Sequence, residues 1–209
     1  MTYYTLIKPY LEILNQIRNN AELLTDFIYK MGEKEDYSYD VNASSRYGLF
    51  KALQYQQLQT DEPIIVTLFK AEIERHTNES YQGLFPALEI GAYLLATYQR
   101  PQYVELFLQA KDANFDTFCG FDSLYLISAG LTETFDYIKN LDSDTQERFY
   151  YFVGASVAKS KFTPAQLSEW RADEANYYQS EIQTDDKEKL ILLAEDLERF
   201  DIIEQLKMY

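Results

Sequence analysis

Apolar side chains recur along this chain at three- and four-residue steps, the spacing that gathers them on one face of an α-helix. Tyr10, Ile13, Leu14, Ile17, Ala21, Leu24 and Ile28 form the first such stripe. They predict one helix, or a pair broken at Asn19-Asn20, with Gly32 as the C-cap. Further stripes run through Phe149, Phe152, Val153 and Val157, through Leu167, Trp170, Tyr177 and Ile182, and through Leu190, Leu193, Ala194 and Leu197. The segment PIIVTLF, residues 63–69, is β-branched enough to suggest a strand. Ile65, Phe69 and Ile73 nevertheless continue in steps of four, and that period makes it a helix.

Punctuation between the stripes agrees. Pro63, Pro101 and Pro164 stand where a helix would begin, a position at which proline loses no needed hydrogen bond. Thr163 with Gln166, Ser143 with Gln146 and Asp185 with Glu188 have the spacing of capping boxes. The stretch EKEDYSYDVNAS, within residues 33–45, is polar, charged and aperiodic, and predicts a mobile loop able to carry binding residues.

The fold class expected is therefore all-α, in a single domain over residues 1–209. Segments 83–114 and 186–206 each read as two tightly joined helices. Ala92, Leu95, Tyr98 and Val104 in the first have weak counterparts in Ala194, Leu197, Phe200 and Ile203 in the second. Paired helices of similar build point to an irregular α-solenoid-like array of antiparallel helix pairs, with a compact helical bundle as the alternative.

Charge narrows the partners. The formal net charge is −15 and the isoelectric point about 4.4, a field that repels nucleic acid and anionic membranes and attracts a basic protein surface. The start of the chain lacks a basic segment followed by an apolar run and a cleavage site, and the most apolar stretch, ALEIGAYLLATY, is interrupted by Glu89. A cytoplasmic location, with no membrane and no nucleic acid as partner, is the expectation.

Little catalytic machinery is visible. Cys119, the single cysteine, has Asp116 and Asp122 as neighbours, a charge of the wrong sign for a thiolate. Beside Phe115, Phe118 and Phe121 it reads as a small core residue in a corner between two helices. His76 stands four residues after Glu72 and reads as a surface or partly buried histidine paired with it, because two ligands do not make a metal site. Asp116 and Asp122 read as helix-start or turn residues, with Gly120 as the permissive position between them. Phosphate loops, serine elbows and dinucleotide fingerprints are lacking. The chain is expected to be no enzyme and to use no metal or cofactor.

What remains is acidic and aromatic. Residues 105–147 carry nine acidic residues against Lys111 and Lys139, a local net of −7. From this stretch Asp112, Asp116, Asp122, Tyr125, Glu133, Asp136, Tyr137, Asp142 and Asp144 are the candidate partner-binding residues, joined by Tyr37 and Tyr39. Tyrosine supplies contact area and a hydroxyl at low entropic cost, which is why interfaces favour it. In overall character the chain, with its block ALEIGAYLL followed by AKDANFDTFCGFDSLYLISAG, resembles the helical immunity proteins of bacterial toxin–immunity systems: short, acidic and without catalytic motifs. The resemblance implies inhibition by occlusion of a basic partner such as a cognate toxin domain. Carboxylates such as Asp116, Asp122, Asp142 and Asp144 would then mimic substrate phosphates. A helical-repeat adaptor holding a peptide in a groove is the alternative.

Overall fold

A computed structural model describes residues 2–34, 37–79 and 83–208. The first helix, α1 (Tyr3–Asn19), buries Tyr3, Leu6, Ile7, Leu11, Leu14 and Ile17 along one stripe. It stops at the asparagine pair: the Asn20 side chain accepts from the Glu22 amide at 3.2 Å and starts a separate 3₁₀ segment, Ala21–Phe27. The expected pair broken at Asn19-Asn20 is thus present. Gly32 is not its cap.

Gly32 lies instead in β1 (Met31–Lys34), which pairs antiparallel with β2 (Tyr37–Asp40) so that Gly32 faces Tyr39. The expected loop over 33–45 is corrected to the second half of this hairpin followed by the start of α2 (Ala43–Tyr55). Glu35 and Asp36 lie outside the described residues. The reason is tertiary. Asp40 accepts from the Lys30 and Asn42 amides, both at 3.0 Å, and its second oxygen pairs with the guanidinium of Arg46. Arg46 also reaches Glu72 at 2.6 Å and the Phe27 carbonyl at 3.1 Å. Arg46, Asp40 and Glu72 are all buried. A short hairpin that periodicity does not announce is held by this buried ionic knot.

The residues read as PIIVTLF lie in a helix, α3 (Glu62–Asn78), with Pro63 in its first turn. Arg18 on α1 grips its start by donating to both oxygens of the buried Asp61, at 2.9 and 2.7 Å. Next comes α4 (Pro86–Ala96), which crosses α2 and α3 closely at Gly91; a Cβ there would meet the Phe69 ring at 2.8 Å and the Phe50 ring at 3.0 Å. His76 is buried rather than superficial, and it is paired with Glu72 as expected: its Nδ1 bonds the Glu72 carbonyl at 2.7 Å and lies 3.8 Å from the carboxylate. Its Nε2 accepts from the Phe85 amide at 3.2 Å, which tethers the entrance of α4 to α3. Burial lowers its pKa.

Then follow α5 (Val104–Asp112), α6 (Phe115–Gly120), the 3₁₀ turn Ser123–Ile127, α7 (Leu131–Ile138) and α8 (Ser143–Val153). The corner over 110–123 is present, capped by Asn114 on the Thr117 amide and pinned by buried Lys111, whose Nζ donates to the Phe118 and Phe121 carbonyls at 3.0 and 2.6 Å. Its wedge differs from the expectation. Phe121 is buried and Phe118 half-buried, but Phe115 is 69% exposed and Cys119 is exposed. In a six-residue helix positions 115 and 119 share one face, and here that face is outward while Thr117 and Phe121 point in.

Three helices complete the chain: α9 (Pro164–Ile182), α10 (Lys187–Asp196) and α11 (Phe200–Met208). The Thr163 capping box is formed as expected, whereas the other two caps shift by one residue to Asp142 and Asp186. The chain turns alike after α4 and after α10, where Gln99 (φ 50°) and Glu198 (φ 54°) adopt the left-handed conformation; α10 then packs on α11, whereas α4 packs on α3 and α2 rather than on α5. The fold is all-α with helices packed in pairs, and its last part returns to its first. Helix α9 packs on α2 and on the 3₁₀ turn, and α10 packs on α1.

Candidate functional site

That return builds a cleft. On α9 the residues Glu174, Tyr177, Tyr178 and Glu181 stand at i, i+3, i+4 and i+7, so they form one face. The face is docked by polar contacts. Lys51 and Gln54 on α2 donate to the same Glu181 oxygen, both at 2.9 Å, and Gln54 also donates to the Tyr178 carbonyl at 2.8 Å. At the other end the Tyr125 hydroxyl donates to Glu174 at 2.6 Å, while Arg171 donates to the Ser128 carbonyl at 2.6 Å. Tyr178 is buried and stacks on Tyr93 of α4, with ring centroids 4.1 Å apart.

Between these contacts lies a cavity of about 320 Å³, lined by carboxylates from three sides: Glu89 of α4, Asp122 and Glu174 and Glu181. Lys51 is the single basic residue on its wall, and tyrosines 47, 125, 177 and 178 supply the remaining polar surface. A second cavity of about 250 Å³ adjoins it, sharing Tyr47, Lys51, Tyr177 and Glu181 and adding Asp196 and Lys189.

The charges here are not balanced. Glu89 has no hydrogen bond and no ion pair among the described residues, and its pKa is raised by burial and by the fields of Glu174 and Glu181. Burial, with Asp122 and Asp173, raises Glu174 as well; burial raises Asp196, although Lys51 acts against it. Lys51 is pushed down by burial, with Glu181 opposing the shift. The Lys51 ammonium lies 5.2 Å from the Tyr47 ring centroid. Tyr47 itself is only 8% exposed, yet its hydroxyl makes no hydrogen bond among the described residues and faces the fields of Glu181, Asp196 and Glu89.

The residues expected from the sequence are dispersed. Asp122 and Tyr125 belong to this cleft, but Tyr125 is 3% exposed, a floor residue packed edge-on to Trp170 rather than a surface contact. Asp112 is spent on Arg148, and with Asp144 it lines a separate cavity of about 500 Å³ between α5 and α8. Asp136 pairs with Lys139 at 2.7 Å, and Tyr137 donates to Glu105, a bond that pushes its hydroxyl up to about 12. Asp142 caps α8 by accepting from the Thr145 amide at 2.9 Å. Asp116 is half-buried in the first turn of α6, and Glu133 is exposed in that of α7. Tyr37 and Tyr39 are exposed on one face of β2, centroids 6.3 Å apart, and do not line the cleft.

Tyr47, Glu89, Glu174, Tyr177, Tyr178 and Glu181 are the cleft residues that sequence reasoning missed, because it took the α9 stripe as core. The available signal was the four-residue pattern on α9, acidic at both ends and aromatic between. No group of three or more metal-ligating side chains occurs among the described residues, and no described helix is long and apolar enough to cross a membrane. Comparison with family models, with curated proteins and with solved structures finds no match.

Proposed function

We propose that this chain is a non-catalytic protein-binding domain that occludes a basic protein partner, in the manner of an immunity-type inhibitor of a toxin domain. The observation that carries the reading is the cleft beside α9, where four carboxylates face one lysine and Glu89 is left without any cation. Partly buried carboxylates crowded by like charge, as Glu89 and Glu174 are, would be relieved by a cation that enters from outside. The net charge of −15 adds long-range attraction for the same class of partner. The contact thus centres on the cleft rather than on residues 105–147, several of whose acids are engaged within the chain.

Capture of partners on the tagged protein at low salt, followed by a salt series, tests this. The expected result is one basic protein, released progressively by salt and no longer retained by the triple variant Glu89→Gln, Glu174→Gln, Glu181→Gln. Partners that ignore salt and bind the triple variant equally would point to the adaptor alternative and overturn the inhibitor reading.

A further inference from the structure

His76, the single histidine of the chain, joins α3 to the entrance of α4. Its ring lies between two backbone groups whose roles cannot be exchanged. Nδ1 faces the Glu72 carbonyl, which only accepts, and Nε2 faces the Phe85 amide, which only donates. Both contacts are made by one species alone, the neutral imidazole with its proton on Nδ1. An imidazolium would set a second N–H against the Phe85 N–H, and that hydrogen bond would be lost.

The surroundings offer the charged ring a second arrangement. Burial, the largest influence, disfavours the imidazolium and Arg75 adds to it, while Glu72 and Glu79 act the other way, so the pKa lies below 6.5. Arg46 of α2, itself paired with Asp40 of β2, takes one oxygen of Glu72. The other oxygen, Oε2, is buried without a hydrogen bond, 3.7 Å from Arg75 and 3.8 Å from the His76 Nδ1. Glu72 thus keeps an acceptor within a short ring movement of the imidazole. On the side of α4, the Phe85 ring stands edge-on to the imidazole at 5.0 Å, and the Arg75 guanidinium lies 4.0 Å from its centroid. Asn114 holds the same junction with a group that does not titrate, donating to the His76 and Gly83 carbonyls at 3.1 and 3.3 Å. That clamp confines the response to Phe85 and the first turn of α4.

We propose that His76 is an acid-sensitive latch on α4: proton binding at Nε2 breaks the bond from the Phe85 amide, lets the charged ring pair with the free Glu72 oxygen, and releases the entrance of the helix. The consequence reaches the surface. Phe85, Pro86 and Ala87 line a cavity of about 130 Å³ together with Tyr47 and Arg75, and Pro86 and Glu89 line the carboxylate cleft. Both walls keep their shape while the latch is closed at neutral pH and change on acidification. The latch needs no partner and stands apart from the inhibitor reading.

NMR of the full chain between about pH 7.5 and about pH 5 is the direct test, since the one imidazole gives ring signals without overlap. At the upper end the ring nitrogens should report a proton on Nδ1 alone. On acidification the imidazole should titrate below 6.5, and the Phe85 amide should shift with the same midpoint. That amide should also lose protection against exchange by about tenfold, the change expected when one hydrogen bond is broken, while protection in α7 is unchanged. His76→Gln, whose side-chain oxygen can accept from the Phe85 amide but cannot titrate, should keep Phe85 protected at both ends of the range. The titration of the parent chain decides the matter if this variant fails to fold. A ring that stays neutral down to about pH 5, a Phe85 amide indifferent to the ring's titration, or loss of protection throughout the chain at the same midpoint overturns the proposal. Equal acid release of Phe85 in a folded His76→Gln protein overturns it as well.

Discussion

Glu89 sits in the fourth position of α4, on a helix whose other inward residues are apolar, and nothing within the chain neutralises it. Its pKa is raised above 4.5, so the folded protein holds this proton more tightly than the unfolded chain does. The destabilisation from its charge is absent below about pH 4.5 and grows as pH rises through the raised folded value. Glu89→Gln should therefore melt higher than the parent at pH 7, with the difference shrinking toward zero as pH falls to about 4.5. Melting curves of both proteins across that range check it, and a difference independent of pH would mean that packing, not charge, is the cause. In the sequence this residue is legible only as an interruption of ALEIGAYLLATY. Its meaning depends on Glu174 and Glu181, some ninety residues further on, and local pattern carries no information about such neighbours.

At the scale of elements, periodicity reads helices well, because a buried stripe imprints its spacing on the sequence whatever covers it. Helix α3 was legible through Ile65, Phe69 and Ile73, and the start of α9 through Thr163, Pro164 and Gln166. The β-hairpin was not, since only Asp40 and the partly buried Ser38 turn inward and its order comes from Arg46, six residues beyond. Replacing Arg46 by Met should cost about 3–5 kcal/mol, the loss expected when buried carboxylates lose their counter-charge. Asp40 and Glu72 would both be stranded. Denaturant unfolding measures the loss, and amide exchange should quicken first in β1 and β2. A cost below about 1 kcal/mol would show that the hairpin stands without its knot. Gly154, which ends α8 at φ 114°, supplies a second element-scale test: a Cβ there would lie 2.3 Å from the Lys159 carbonyl oxygen. Gly154→Ala should lower stability by at least about 2 kcal/mol, measured by the same unfolding experiment.

For the molecule as a whole, an excess of fifteen negative charges opposes compaction, and most of the ion pairs that offset it are local or buried. The melting temperature should rise as sodium chloride is raised from low to physiological concentration, because screening acts mainly on repulsion between exposed acids. A falling melting temperature would mean that attractive surface pairs dominate instead. Charge and helix content, being sums over residues, were legible at this scale. The closure of α9 and α10 onto α2 and α1 was not, since the two meeting faces share no motif and are separated by more than a hundred residues. That closure also sets a timetable. Chains leave the ribosome N-terminus first, and their domains begin to fold in that order. Tyr47 and Glu89 emerge before the wall that carries Glu174 and Glu181, so the cleft cannot be completed on a nascent chain until residue 182 is free of the exit tunnel.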